Sequence, residues 1–175
     1  TPSGPEHAFN LAYSIREINE KPLLFLSHIG NYELANTFAF ETATWDTLYE
    51  YAANHDLLPD EEEYWGICYD DTLITHPDKC RFYACLTINA PVKSHLTSRI
   101  KSMTLPRQLY AVYCHKGKYT LLDTFYDAIL KNLPPNYLLG ESFILERYLN
   151  SPTDTPADEL LTEVWLPIKA IPTKI

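Results

Sequence analysis

The sequence predicts an α+β fold: duplicated βαββ units with pseudo-twofold symmetry, joined in one antiparallel sheet with two main helices and a central groove. Three observations predict it. The turn pattern His-x-Gly-x-Tyr occurs at His28, Gly30, Tyr32 and again at His115, Gly117, Tyr119, where 115 − 28, 117 − 30 and 119 − 32 all equal 87. Around each turn the same order of elements recurs, two strands before it and a helix and two strands after it. The 175 residues are enough for one domain with a real core and too few for two ordinary ones.

In chain order, Thr1 to about residue 11 reads as a linker or expression remnant, since it opens Thr1-Pro2-Ser3-Gly4-Pro5 and not on Met. The domain spans 12–170, with one repeat over about 12–90, a second over about 98–170, and a tail at 171–175. Tyr13 to Ile18 alternates as a strand does; Pro22 interrupts, and Leu23 to His28 reads as a buried strand. Gly30 supplies the turn, and a helix follows with Leu34, Phe38, Trp45, Tyr49 and Ala52 near one face, ending by Asn54-His55-Asp56. The run Asp60-Glu61-Glu62-Glu63 reads as a solvated loop. Tyr64 to Tyr69 and Arg81 to Ile88 are strands, separated by Asp70-Asp71 and a loop with Pro77. In the second unit, Ile100 to Met103 and Leu109 to His115 are strands. Leu122, Phe125, Tyr126, Ile129 and Leu133 mark a helix that stops at Pro134-Pro135. The strand around Glu146, a polar loop from Ser151 to Glu159 and a last strand from Leu161 to Ile168 complete it. The histidine of each turn reads as a structural hydrogen-bonder.

Composition narrows the function classes. A formal charge of −9 with no basic run argues against a nucleic-acid or anionic-membrane surface. Thirteen Tyr and three Trp against one Met suit a rigid aromatic pocket. Neither a membrane-spanning stretch nor a signal peptide is expected. Cys68, Cys80, Cys85 and Cys114 have no CxxC or paired-His spacing, so reduced thiols in a cytoplasmic protein are expected, with no metal site and no cofactor. Nothing resembles a Ser-His-Asp arrangement or a phosphate loop.

One carboxylate stands out. On a strand, Ile144, Glu146 and Tyr148 share a face, which puts an acid between an aliphatic and an aromatic residue. It is either half of an ion pair on a wet face, or a pocket carboxylate waiting for a cationic or polar ligand. Matching Tyr69-Asp70-Asp71 with Tyr148-Leu149-Asn150 at an offset of 148 − 69 = 79 makes Ile67 the counterpart of Glu146 and Trp65 that of Ile144. An acid in one copy against an apolar residue in the other favours the pocket. Matching Ile88 with Ile168 pairs Cys85 with Trp165. By strand parity Trp65, Tyr69, Tyr110 and Trp165 are further candidates for its aromatic walls, with cation–π attraction added to the charge.

The ordered set Gly30-Asn31-Tyr32-Glu33, Gly66-Ile67-Cys68-Tyr69-Asp70-Asp71, His76-Pro77-Asp78-Lys79-Cys80-Arg81, Tyr110-Ala111-Val112-Tyr113, His115 to Tyr119 and Glu146 to Asn150 resembles the GyrI-like small-molecule-binding domain over about Tyr13 to Lys169. The resemblance implies a duplicated βαββ fold and a site for bulky lipophilic or cationic compounds. Glu146 is then the ligand-sensing carboxylate and Tyr148 its neighbour. It also implies the ligand-sensing part of an AraC-type transcription regulator, reaching DNA only through a helix-turn-helix domain that is missing or removed here. Two alternatives come with it: a hydrolase opening cyclopropane-type alkylating toxins with Glu146 as general base, and a protein that binds DNA gyrase. The first helix is unusually long and Thr-rich, which leaves pocket residues on it, such as Trp45 or Tyr51, unassigned.

Overall fold

A computed structural model describes residues 9–29, 42–69, 76, 79–92, 96–97 and 99–172. Its strands are β1 (Tyr13–Ile18), β2 (Lys21–Ile29), β3 (Tyr64–Cys68), β4 (Arg81–Thr87), β5 (Lys101–Leu105), β6 (Gln108–Lys116), β7 (Tyr137–Leu139), β8 (Ile144–Tyr148) and β9 (Leu161–Ala170). The helices are α1 (Thr42–Asn54) and α2 (Leu122–Leu130). Most of the expected linker, the first turn beyond Ile29 with Leu34 and Phe38, Asp70-Asp71, Pro77 and residues 173–175 lie outside the described residues.

The strands form one antiparallel sheet in the order β1-β6-β9-β8-β3-β4-β2-β5, with β7 added beside β9. Exchanging β1 with β5, β2 with β6, β3 with β8 and β4 with β9 reverses this order and leaves it unchanged, so the topology has two-fold form about the β3·β8 junction. The registers agree. Leu23 pairs Thr87 and Tyr110 pairs Pro167, so the offset of 110 − 23 = 87 on β2 and β6 requires 167 − 87 = 80 on β4 and β9. Trp65 pairs Cys85 and Leu145 pairs Trp165, so β3 and β8 are also related by 145 − 65 = 80.

This corrects the offset of 79. The counterpart of Glu146 is Gly66, not Ile67, and the two residues face each other directly across the junction. A slip of one residue moves every side chain of a strand to the other face, so the correction changes which residues share a site.

The sheet has two unlike faces. On one, α1 packs Leu48 and Ala52 against Leu24, Leu26 and Leu86, while α2 packs Leu122, Phe125 and Ile129 against Tyr113, Val164 and Leu166. Both helices are held by apolar stripes; α2 carries Leu122, Phe125 and Ile129 at helical spacing. The other face folds inward on itself. Ile18 of β1 and Leu105 of β5 come from opposite ends of the strand order, yet both belong to one buried cluster with Trp65, Tyr110 and Trp165. The sheet is therefore strongly curled, with an aromatic core inside the curl and two helices outside it.

Local chemistry explains the departures from expectation. Pro22 lies inside β2 and does not break it: there the strand pairs with Thr104 of β5, and the Pro22 carbonyl still accepts from Ile88 N–H at 3.1 Å. β7 was not expected; three residues after Pro134-Pro135 and Asn136, which has φ 70°, are too few for a periodic signal. The second His-x-Gly-x-Tyr turn forms as expected, with Gly117 at φ 142° and His115 Nε2 3.0 Å from the Lys118 carbonyl. Glu63, expected in a solvated loop, is half-buried. It accepts from Lys21 at 2.6 Å and Trp65 Nε1 at 3.1 Å and pairs with Arg147 at 3.2 Å.

Candidate functional site: a buried carboxylate between the helices

Glu146 reaches the helix-bearing face because β8 alternates, with Ile144 and Tyr148 beside it and Leu145 and Arg147 behind. Its neighbour across β3 is Gly66 and across β9 is Val164, so the adjoining ladder positions leave it no charged partner. It is 3% exposed, and its Oε2 is buried with no hydrogen-bond partner among the described residues. Burial pushes its pKa up to about 7; the nearby Tyr126 hydroxyl holds the rise back and the Asp123 carboxylate adds to it. Glu146 is therefore not half of an ion pair on a wet face.

Phenols and a thiol surround the acid. Tyr119, Tyr126 and Tyr148 all have pKa values raised, first by burial and then by the charge of Glu146. The Cys68 thiol is pushed well up by burial and by Glu146, which makes it a neutral, unreactive neighbour. Tyr148 crosses the junction, and an added Cβ on Gly66 would meet its hydroxyl and lie 2.5 Å from Phe82 Cζ. Glycine at 66 is what lets Tyr148 and Phe82 close over the centre of the sheet.

Beyond Tyr148 lies a cavity of about 360 Å³, walled by Trp45 and Tyr49 of α1, Tyr64 of β3, and the loop from Leu149 to Asp154. That volume is in the range of small-molecule pockets. Trp45 meets Tyr64 and Tyr148 edge-on, at 5.3 and 6.2 Å between centroids. Asp46 and Asp154 stand among the lining residues, so the opening is acidic as well as aromatic. Glu146 does not line the cavity; it lies two residues deeper along β8.

The structure divides the six residues singled out from the sequence. Glu146 and Tyr148 lie together on the helix-bearing face. Trp65, Tyr110 and Trp165 lie on the opposite face inside the curl, where Trp165 packs against Trp65 at 5.0 Å and Tyr110 at 5.7 Å. Tyr69 is on that face too, stacked on Phe143 at 4.6 Å under the Arg81 guanidinium at 4.0 Å. Those four aromatics are core and flank, not neighbours of the carboxylate. Sequence reading missed Gly66, Tyr126 and Thr162. The Gly66–Glu146 match was available from a correct offset, whereas Tyr126 looked like one more apolar position of α2.

A sheet of two matched halves with a buried acid at their junction and an aromatic cavity beside it defines a small-molecule-binding domain. The chain belongs to the GyrI-like small molecule binding domain family, whose description matches residues 11–169. Among curated proteins no sequence matches it.

Solved structures share the fold. EcmrR in a DNA complex superposes with a TM-score of 0.74 at 17% identity, covering 91% of this chain and 58% of that one. The isolated EcmrR C-terminal domain gives 0.66 at 16% identity, covering 91% and 98%. SAV2435 bound to tetraphenylphosphonium gives 0.56 at 16%, covering 90% and 94%. A hydrolase from Listeria innocua gives 0.60 at 13%, covering 93% and 94%. This chain thus corresponds to little more than half of the DNA-bound EcmrR chain. Among the described residues no helix is long and apolar enough to cross a membrane.

Proposed function

We propose that the chain is an effector-binding domain that takes a lipophilic cation in the aromatic cavity beside α1, with Glu146 as counter-ion and Tyr148 beside it. The observation that carries this reading is the buried Glu146 carboxylate, whose Oε2 has no hydrogen-bond partner among the described residues, set behind an aromatic cavity. A buried acid held near neutrality stores a cost that a cation can relieve. An apolar cation has little hydration to lose, and the faces of Trp45, Tyr64 and Tyr148 favour its charge further. Tetraphenylphosphonium, bound to the similar SAV2435, is a compound of this class.

Ligand occupancy would act on an attached or partner transcription regulator, as the likeness to EcmrR in its DNA complex supports; its AraC type is what the family resemblance implies. DNA contact belongs to that regulator and not to this acidic chain. Four free cysteines suit a reducing, cytoplasmic setting. Binding is tested by calorimetric titration of a lipophilic cation into wild type and Glu146→Gln. The reading requires a loss of at least about 1 kcal/mol in the variant, the order of a charge-assisted contact; equal affinities would refute it.

A second reading rests on the same acid. A carboxyl with a pKa of about 7 is poised as a general base, as the hydrolase alternative needs. Mass spectrometry of a cyclopropane-bearing electrophile after incubation separates the two: a sensor returns it unchanged, a hydrolase adds water. Gyrase supercoiling assays address the third possibility, and the sensor reading expects no inhibition.

A further inference from the structure

We infer that the ligand's charged group carries N–H donors, as a protonated primary or secondary amine or an amidinium does, and is not a fully substituted onium ion. The inference deepens the cation-binding reading above and rests on it. It comes from two atoms: Glu146 Oε2 and Thr162 Oγ1 are both buried and without a hydrogen-bond partner among the described residues, with the Tyr126 hydroxyl close beside the carboxylate. Glu146 is 3% exposed and Thr162 fully buried. Buried polar atoms in folded proteins are almost always paired, so two orphans on one face of the junction mark places where a partner binds.

Their placement gives that partner a shape. Thr162 pairs with Tyr148 on the ladder that also pairs Glu146 with Val164, so Thr162 and Glu146 lie two residues apart along the same junction and on the same face. Tyr126 comes down from α2 and is close enough to Glu146 for each to shift the other's titration. At the offset of 80, the positions matching Glu146 and Thr162 are Gly66 and Phe82, which has no polar side chain to offer. One side of the junction is thus polar and the other aromatic, with Phe82 packed among Tyr148, Trp45 and Tyr64. An amphiphile fits this division, its aryl body on the aromatic side and its charged head on the polar side.

A carboxylate accepts through several lone pairs, and each hydroxyl accepts as well as donates. A head group with two or three N–H bonds can donate to both the Glu146 carboxylate and the Thr162 hydroxyl. A quaternary ammonium or phosphonium ion neutralises Glu146 but leaves the Thr162 hydroxyl unpaired, and a site built around hydrogen bonds discriminates strongly against ligands that lack them.

The test compares naphthylmethylamine with its trimethylammonium analogue by calorimetry at pH 8, where the amine is protonated and Glu146 ionised. The amine should bind at least about tenfold more tightly; Thr162→Val should reduce that preference several-fold while leaving the affinity of the quaternary analogue unchanged, whereas Tyr126→Phe should weaken both ligands. Equal binding, or tighter binding of the quaternary ion, would overturn the inference while leaving the cation reading intact. Binding of neither would overturn both. Thermal unfolding establishes that each variant is folded; should one not fold, the wild-type ratio of the two ligands still decides.

Discussion

At Glu146 the chemistry of the site reduces to one ionisation. Its ordinary pKa of 4.5 is raised to about 7 in the folded protein, chiefly by burial. The folded state therefore keeps a proton that the unfolded chain releases. This contribution to stability is fully present below pH 4.5 and is lost as pH rises through about 7. The loss amounts to about 3 kcal/mol, at 1.36 kcal/mol per pKa unit. Chemical denaturation from pH 4 to 8 should show this fall in wild type, superposed on other titrations, and its absence in Glu146→Gln. Parallel curves for the two proteins would mean that the carboxylate is not desolvated. By the same linkage, binding a cation drives the proton off, so cation affinity should rise with pH and level off above about 7. Gly66 is the complementary case: Gly66→Ala puts a methyl onto the Tyr148 hydroxyl and Phe82. It should cost about 1–3 kcal/mol of overpacking, read as a lowered unfolding midpoint.

Strands and their faces determine which aromatic residues serve the site. Alternation along β8 was readable from the sequence, since Ile144, Glu146 and Tyr148 need only the two-residue period of one strand. Assigning Trp65 to the same side needed a register between strands, and an offset of 79 in place of 80 sent it to the wrong face. Inside the curl, Trp65 Nε1 donates to Glu63 at 3.1 Å and Trp165 Nε1 to Glu163 at 3.4 Å, with Arg147 bridging both carboxylates at 3.2 and 3.8 Å. Burial alone would raise the Glu63 pKa, but Lys21, Trp65 and Arg147 outweigh it and hold the value below normal. This is a structural tie across the junction, on the opposite face of the sheet from Glu146. Trp65→Phe should therefore cost about 2 kcal/mol of stability through lost packing and a lost hydrogen bond. Cation affinity should stay within about twofold, a difference small beside one charge-assisted contact; a tenfold loss would place Trp65 in the site after all.

For the whole molecule, the two-fold plan was legible because a repeated turn fixes an offset without any knowledge of packing. The curl was not, because it depends on the summed twist of the strands and on which face closes, which no single strand's pattern encodes. Curling gives each face its own core: an aromatic cluster inside the curl, and on the other side the clusters under the two helices. There the 360 Å³ cavity lies beside Tyr148, with Glu146 buried two residues further along the same strand. A ligand that binds only the folded chain at a hundred times its Kd should add about 2.7 kcal/mol of stability. For a domain of this size that raises the thermal midpoint by roughly 5–10 °C, visible by calorimetric scanning.

The most direct measurement follows Trp45 fluorescence, together with calorimetry, while protonated naphthylmethylamine and neutral naphthylmethanol are titrated into wild type and Glu146→Gln at pH 8. With Trp45 on the cavity wall, the signal should saturate in wild type. The amine should weaken at least about fivefold in the variant while the alcohol is unaffected, as expected when one charge-assisted contact is removed. Equal binding of the amine by both proteins would contradict the account, because Glu146 would then be a buried acid with no part in recognising a cation.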